Sequence, residues 1–181
     1  MADETTFVAS LDALPSTSFA PEGSETFAAR LSRIGPLIGL SRLGCMLTVV
    51  PPGKRAFPYH NHHGAEELFV ILEGRGTYRI GAERIEVAAG DVCGAPAGDR
   101  ATAHQLINTG AEPLKYLAIS TQADPEVVEY PDSGKYAAIA VGAGRSFFEA
   151  HVRAIGRAED GLDYWDGEEP ARTAPGDDAP A

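Results

Sequence analysis

Gly53-Lys-Arg-Ala-Phe-Pro-Tyr-His60-Asn-His62-His63-Gly-Ala-Glu66-Glu67-Leu-Phe-Val-Ile-Leu-Glu-Gly74 sets two imidazoles two residues apart, follows them with a carboxylate and then runs apolar to a glycine. In a strand, side chains i and i+2 share a face, so His60 and His62 can aim at one point. The same alternation turns Glu67, Phe69 and Ile71 to one side. There a carboxylate sits among apolar groups at a desolvation cost that a cation would offset. Glu66 is the competing carboxylate from the other face, while His63, out of phase with its neighbours, is expected at the rim.

Outward from this block the period of two persists. Leu43 to Val50 reads as a strand ended by Pro51-Pro52-Gly53, Phe57 to His62 as another, and Glu67 to Leu72 as a third. Gly76 to Ile80 and Arg84 to Val87 read as a hairpin about Gly81-Ala82. His104 to Asn108 and Leu114 to Ser120 add two strands, and Tyr136 to Val141 one more. The stretch from Asp124 to Gly134 reads as a loop. Many short strands with no helical period between them predict an all-β antiparallel sandwich or barrel.

Before the strands, Ser24 is placed to cap a short helix in which Phe27, Leu31 and Ile34 share a face and Gly35-Pro36 ends the run. The expected organisation is an N-terminal arm and short helix over 1–39 and a barrel core over 40–121. An irregular C-terminal extension packing on the barrel follows over 122–165, and an acidic flexible tail over 166–181.

With 181 residues, 44% of them hydrophobic, the chain can bury one sizeable core. The 26 acidic against 15 basic side chains give a net charge of −11, which repels a polyphosphate backbone and argues against nucleic acid as a partner. No apolar run is long enough to span a bilayer and no secretory leader is evident, so no membrane partner and a cytoplasmic location are expected. Two cysteines, Cys45 and Cys93, are too few for a disulfide scaffold and are expected to be reduced and structural. No Ser-His-Asp set, phosphate-binding glycine loop or dinucleotide fingerprint is present.

A second block, Gly90-Asp-Val-Cys-Gly-Ala-Pro96-Ala-Gly98-Asp-Arg-Ala-Thr-Ala-His104-Gln-Leu-Ile-Asn108, supplies another histidine. The two blocks resemble the two cupin motifs. The first is Gly, a spacer, His-x-His, a short spacer, Glu, six residues and Gly. The second is Gly, five residues, Pro-x-Gly, a spacer, His, three residues and Asn. The spacing from Glu67 to Gly74 fits the first motif, which favours Glu67 over Glu66. Six residues precede His60 where the motif has five, and five separate Gly98 from His104 where it has two. The resemblance covers residues 53 to 108, and the surrounding strands extend it to about 40 to 121. It is to the small bacterial single-domain cupins of the conserved-barrel type.

The resemblance implies a double-stranded β-helix, or jelly-roll, cupin barrel holding one divalent transition metal by His60, His62, Glu67 and His104. Three imidazoles and a carboxylate suit a borderline ion such as Zn, Fe, Ni, Cu or Mn and leave positions open for a small-molecule ligand or substrate. The implied function is a metal-dependent enzyme acting on a small polar molecule such as a sugar or sugar phosphate, isomerase-like. The alternatives are a non-catalytic small-ligand-binding or sensor cupin and an iron-dependent dioxygenase; lyase chemistry also belongs to this range. Glu66 and His63 are candidate bases. Tyr59, Phe69, Tyr78, Gln105 and Asn108 each face core or cavity according to register, and Arg55, Arg75, Arg79 and Arg100 are candidate anion partners. His151 is expected to be solvated, and a homodimer is expected through edge pairing or arm exchange.

Overall fold

Prolines and glycines cut the chain into short strands, and the computed structural model describes residues 6–142 and 150–168. The strands are β1 (Thr17–Phe19), β2 (Ala29–Arg33), β3 (Leu43–Val50), β4 (Asn61–His62), β5 (Glu67–Glu73), β6 (Arg75–Ile80) and β7 (Glu83–Ala88). They continue with β8 (Val92–Ala95), β9 (His104–Ile107), β10 (Leu114–Thr121), β11 (Glu126–Tyr130), β12 (Lys135–Ala140) and β13 (Val152–Gly156). They build a six-stranded sheet in the order β1-β2-β3-β10-β5-β8, a four-stranded sheet β13-β12-β11-β4 and a three-stranded sheet β7-β6-β9. Every ladder between named strands is antiparallel, and the whole is an all-β jelly-roll barrel.

β10 lies between β3 and β5, pairing Leu114 with Val50 and Ala118 with Phe69. Alternation then sorts the side chains. Val50, Phe69, Ile71, Leu114 and Tyr116 turn into one core with Tyr78, Val87 and Leu106, while Leu43, Leu68 and Val92 stay exposed on the opposite face. Gly74 ends β5 at φ 82°, and a side chain there would collide with the carbonyl oxygen of Pro113. The glycine of the first motif is therefore a requirement of the turn.

Asn108 is wholly buried and ties three segments together. Its Nδ2 donates to the carbonyls of Val50 (2.8 Å) and Glu112 (2.9 Å), and its Oδ1 accepts from the Gly110 amide (3.0 Å). The closing asparagine of the second motif thus holds the core's loops, not a ligand. Tyr59 and Tyr78 are also buried, their hydroxyls donating to the carbonyls of Gly81 and Gly94 at 2.8 Å each. Both cysteines are free thiols, and burial pushes the Cys93 thiol up to about 11.

Three expectations need correction. The short helix after Ser24 is absent: Ser24 Oγ does accept from the Phe27 amide at 2.9 Å, but the chain then enters β2, whose backbone pairs with β1 and β3. Ala29 and Leu31 face the core at a period of two, and the offered sheet edge outweighs a helical spacing of three apolar residues. Second, the stretch expected to be a loop after Asp124 contains β11, with Glu126 and Val128 buried. Pro125 and the carboxylates hide the strand in the sequence, yet it pairs with both β12 and β4. The strand expected over 57–62 is also shorter, because Pro58 cannot donate to a ladder; only Asn61 and His62 belong to it. Most of the expected acidic tail, from residue 169 onward, lies outside the described residues.

Candidate metal centre

His60 and His104 face each other through a backbone bridge, His60 N–H to His104 O at 3.2 Å and His104 N–H to His60 O at 2.7 Å. Two residues on, His62 is in the ladder with Val128 of β11. Glu67 opens β5 and aims its carboxylate between them. The result is a convergence on one atom: Glu67 Oε2 lies 3.0 Å from His104 Nε2, 3.4 Å from His62 Nε2 and 3.8 Å from His60 Nε2. Donor atoms sharing an ion at about 2.1 Å lie no more than about 4.2 Å apart, so each of these separations is within that limit. The ligand atoms of His60, His62 and Glu67 all fall within 4.8 Å of one another; His104 stands outside that mutual set and joins the cluster through its 3.0 Å contact with Glu67.

The far side of each ring fixes which nitrogen is available. With the proton on Nδ1, His60 donates to the Pro58 carbonyl at 2.8 Å and His104 to that of Thr102 at 3.2 Å, the tautomer that leaves Nε2 free to ligate. His62 Nδ1 faces Glu126 Oε2 at 3.8 Å and has no nearer hydrogen-bond partner among the described residues. All three rings therefore turn Nε2 toward Glu67, the arrangement of imidazoles held to ligate through that nitrogen.

The electrostatics show what this crowding costs without a cation. Burial, then the neighbouring His104, lowers His60 to about 4. Burial opposes charge on His62 as well, but Glu126 and Glu67 outweigh it and raise that group to about 9. Glu67 lies well below the usual carboxylate range: burial by itself would raise it, and the contacts with His104 and His62 prevail. One proton on His62 thus compensates the buried carboxylate, a role that a divalent ion fills with more charge and shorter bonds. Three nitrogens and one oxygen are the donor set of a borderline transition ion.

Beside the cluster is a cavity of about 160 Å³ bounded by His60, Glu67 and His104 on one side and by Met46, Phe57 and Ala118 elsewhere. Its lining includes no Arg or Lys. The four candidate anion partners lie off this lining: Arg79 forms a bidentate pair with Asp132 (2.6 and 2.9 Å) over the Tyr59 ring, Arg55 lies near Phe27, Arg100 is exposed beside Glu129, and Arg75 is exposed on β6. Neither candidate base lies on this wall. Glu66 is exposed on the other face, where it borders a separate hollow of about 370 Å³, and His63 pairs with Glu129 at 3.3 Å. That larger hollow meets the cluster only at Glu67, whose carboxylate faces the imidazoles, so the smaller cavity is the one served by the site. Tyr116, also on the cavity, keeps its proton because burial raises its phenol well above the ordinary range.

Sequence reasoning passed over Glu126, Glu129 and Tyr130. Tyr130 stacks on His60 at 6.3 Å between ring centroids, and Glu129 accepts from Asn61 Nδ2 at 3.4 Å. The alternation of Glu126, Val128 and Tyr130 was the available signal, obscured by Asp124-Pro125 immediately before it.

An all-β barrel with a histidine and carboxylate cluster at its wall defines a class, and comparison with known proteins gives the class its family. The family described as cupin domain matches residues 46–120, and the barrel over that stretch is of the cupin type. An uncharacterized protein of Methanocaldococcus jannaschii is 36% identical over 85 residues, 45% of this chain and 65% of its own length. An oxalate-binding protein of Thermotoga maritima is 34% identical over 70 residues, 39% of this chain and 54% of its own. The matches thus span less than two thirds of these curated relatives. A crystal structure from Acidithiobacillus ferrooxidans, of a protein provisionally named a sugar phosphate isomerase, superposes with a TM-score of 0.73 at 25% identity, covering 89% of this chain and 98% of the other. Among the described residues no helix is long and apolar enough to cross a membrane.

Proposed function

We propose that this chain is a metal-dependent enzyme acting on a small polar molecule, with His60, His62, Glu67 and His104 as the ligands of one divalent transition ion. The observation that carries the reading is the convergence of three Nε2 atoms on Glu67 Oε2 beside a cavity. When bound, such an ion acts as a Lewis acid toward a carbonyl, hydroxyl or carboxylate oxygen. The chain's own residues do the rest. Pro58 and Thr102 hold two rings in the tautomer that offers Nε2, the apolar wall excludes water, and Tyr116 is able to donate a hydrogen bond to a ligand oxygen.

Likeness to the Acidithiobacillus ferrooxidans protein supports isomerase-like chemistry on a sugar or sugar phosphate. A second reading, non-catalytic binding of a small carboxylate, draws on the cavity itself: about 160 Å³ suits a molecule of roughly benzene's size, smaller than a whole sugar phosphate. Likeness to the oxalate-binding relative supports this form. We place a second copy of the chain against the outer face of the six-stranded sheet, where Leu43, Leu68 and Val92 are exposed.

The experiment is metal analysis of the purified protein, followed by turnover assays on aldose and ketose phosphates and oxygen-uptake assays with small acids. Zinc, nickel or manganese with aldose–ketose turnover supports the isomerase. Iron with oxygen uptake points to a dioxygenase, and oxalate binding without turnover points to the binding module. A protein that takes up no metal contradicts all three.

A further inference from the structure

The sheet that carries His62 is built mostly from outside the matched family region. β4 contributes two residues, and its ladder partner β11 comes, like β12 and β13, from beyond residue 121. The loop between His62 and Glu67 is held the same way. Four consecutive amides bond to residues 121–127: His63 N–H to Val127 O at 3.0 Å, Gly64 N–H to Glu126 Oε1 at 2.9 Å, Ala65 N–H to Glu126 Oε2 at 2.8 Å and Glu66 N–H to Thr121 Oγ1 at 2.9 Å. Glu126 is 8% exposed, and its Oε2 also lies 3.8 Å from His62 Nδ1. A Cβ on Gly64 would come within 2.9 Å of the Ala123 Cβ and 3.5 Å of Glu126 Oε2, so the loop is seated directly on this carboxylate.

We infer that Glu126 is a positioning residue of the metal centre, and that the strand after residue 121 is part of the site. It rests on the proposed metal-binding function. One carboxylate sets both the backbone path from His62 to Glu67 and the side of the His62 ring opposite Nε2. It thereby fixes two of the four ligands relative to each other. A carboxylate suits this task because both oxygens accept, and buried amides left without an acceptor are costly. Glutamine cannot replace it: its NH₂ group would face an amide N–H, donor against donor. Partners behind metal-bound histidines typically change metal affinity by about 10–100-fold.

The test is Co²⁺ binding to the full chain, wild type against Glu126→Gln, by chelator competition and by the d–d absorption band, which reports ligand geometry. Thermal melting of the metal-free proteins runs alongside. The expected result is about a 10–100-fold loss of Co²⁺ affinity with a shifted band in a protein that still folds. Glu126→Asp keeps both acceptors but withdraws them by a methylene, so it should fall between the two, and it carries the test if Glu126→Gln does not fold. Affinity within twofold of wild type and an unchanged band would overturn the inference, even if the melting temperature fell, because that pattern marks a purely structural carboxylate. A wild-type protein that binds no Co²⁺ would defeat the metal reading itself, an outcome distinct from equal binding by wild type and variant.

Discussion

His104 Nε2 stands 3.0 Å from Glu67 Oε2, and this contact joins β9 to β5, strands of different sheets. His60 and His62 direct their Nε2 atoms to the same oxygen, so Glu67 is the hub of the cluster. Glu67→Gln removes the charge while keeping the shape. It should lower metal affinity by at least about tenfold, since even partners behind the ligands are worth that much. Calorimetric titration with Co²⁺ checks this, and equal affinity would reassign the hub.

The charge state of His62 gives a pH signature. In the metal-free protein its pKa is raised from an ordinary 6.5 to about 9, so its stabilising contribution is complete below 6.5 and is lost as pH rises toward 9. His60 is lowered to about 4, so its contribution is present above 6.5 and is lost as pH falls toward 4. Melting temperature without metal should therefore peak near pH 6.5. A metal must displace the His62 proton, so apparent Co²⁺ affinity should rise by up to about tenfold per pH unit between 6.5 and 9. A flat affinity over that interval would contradict the assignment of His62.

Asn108→Ala separates a structural role from a ligand-facing one. The substitution leaves the Val50 and Glu112 carbonyls and the Gly110 amide without their partner. At about 1–3 kcal/mol for each buried group left unsatisfied, the loss should be a few kcal/mol in chemical denaturation. Metal affinity of the folded protein should stay within twofold. A specific loss of metal or ligand binding with stability intact would place Asn108 in the site instead.

Ala118→Leu tests the cavity. Ala118 lines it from β10, and leucine adds three carbons to a space of about 160 Å³. Oxalate binding to the metal-loaded protein should weaken by tenfold or more, while Co²⁺ affinity is unchanged. Undiminished oxalate binding would move the ligand elsewhere.

Sedimentation velocity tests the outer face of the six-stranded sheet. Val92 is 65% exposed there and Leu68 37%, and a dimer covering them is the expected species at micromolar concentration. Leu68→Glu with Val92→Glu should yield monomer. A wild-type monomer would remove that proposal.

The barrel strands were legible because glycine or proline punctuates the chain around them and β-branched and aromatic residues fill them; β3, β5, β6, β7 and β10 fall close to where the pattern puts them, and β5 shows the alternating burial most clearly. The juxtaposition of His60, His62, Glu67 and His104 was legible from motif spacing, despite the longer loop before His104. That loop is taken up by a 3₁₀ turn at Arg100–Thr102, capped by Asp99, which accepts from the Ala101 amide at 2.8 Å. β2 and β11 were not legible, because their evidence is not local. Ala29 and Leu31 become a strand only when β1 and β3 offer their edges, and Glu126 looks like a solvent charge until the loop after β4 brings the Gly64 and Ala65 amides to it. Buried carboxylates that hold a loop leave no periodic trace, since their partners are backbone atoms of a distant segment.

Metal stoichiometry is the most direct test of the central claim. The purified wild-type chain and a His60→Ala/His62→Ala double variant, both loaded with Co²⁺ and desalted, are compared by elemental analysis. The account predicts about one ion per chain for the wild type and near none for a variant that still melts cooperatively. Equal occupancy in the two, or none in the wild type, would contradict a metal centre at His60, His62, Glu67 and His104.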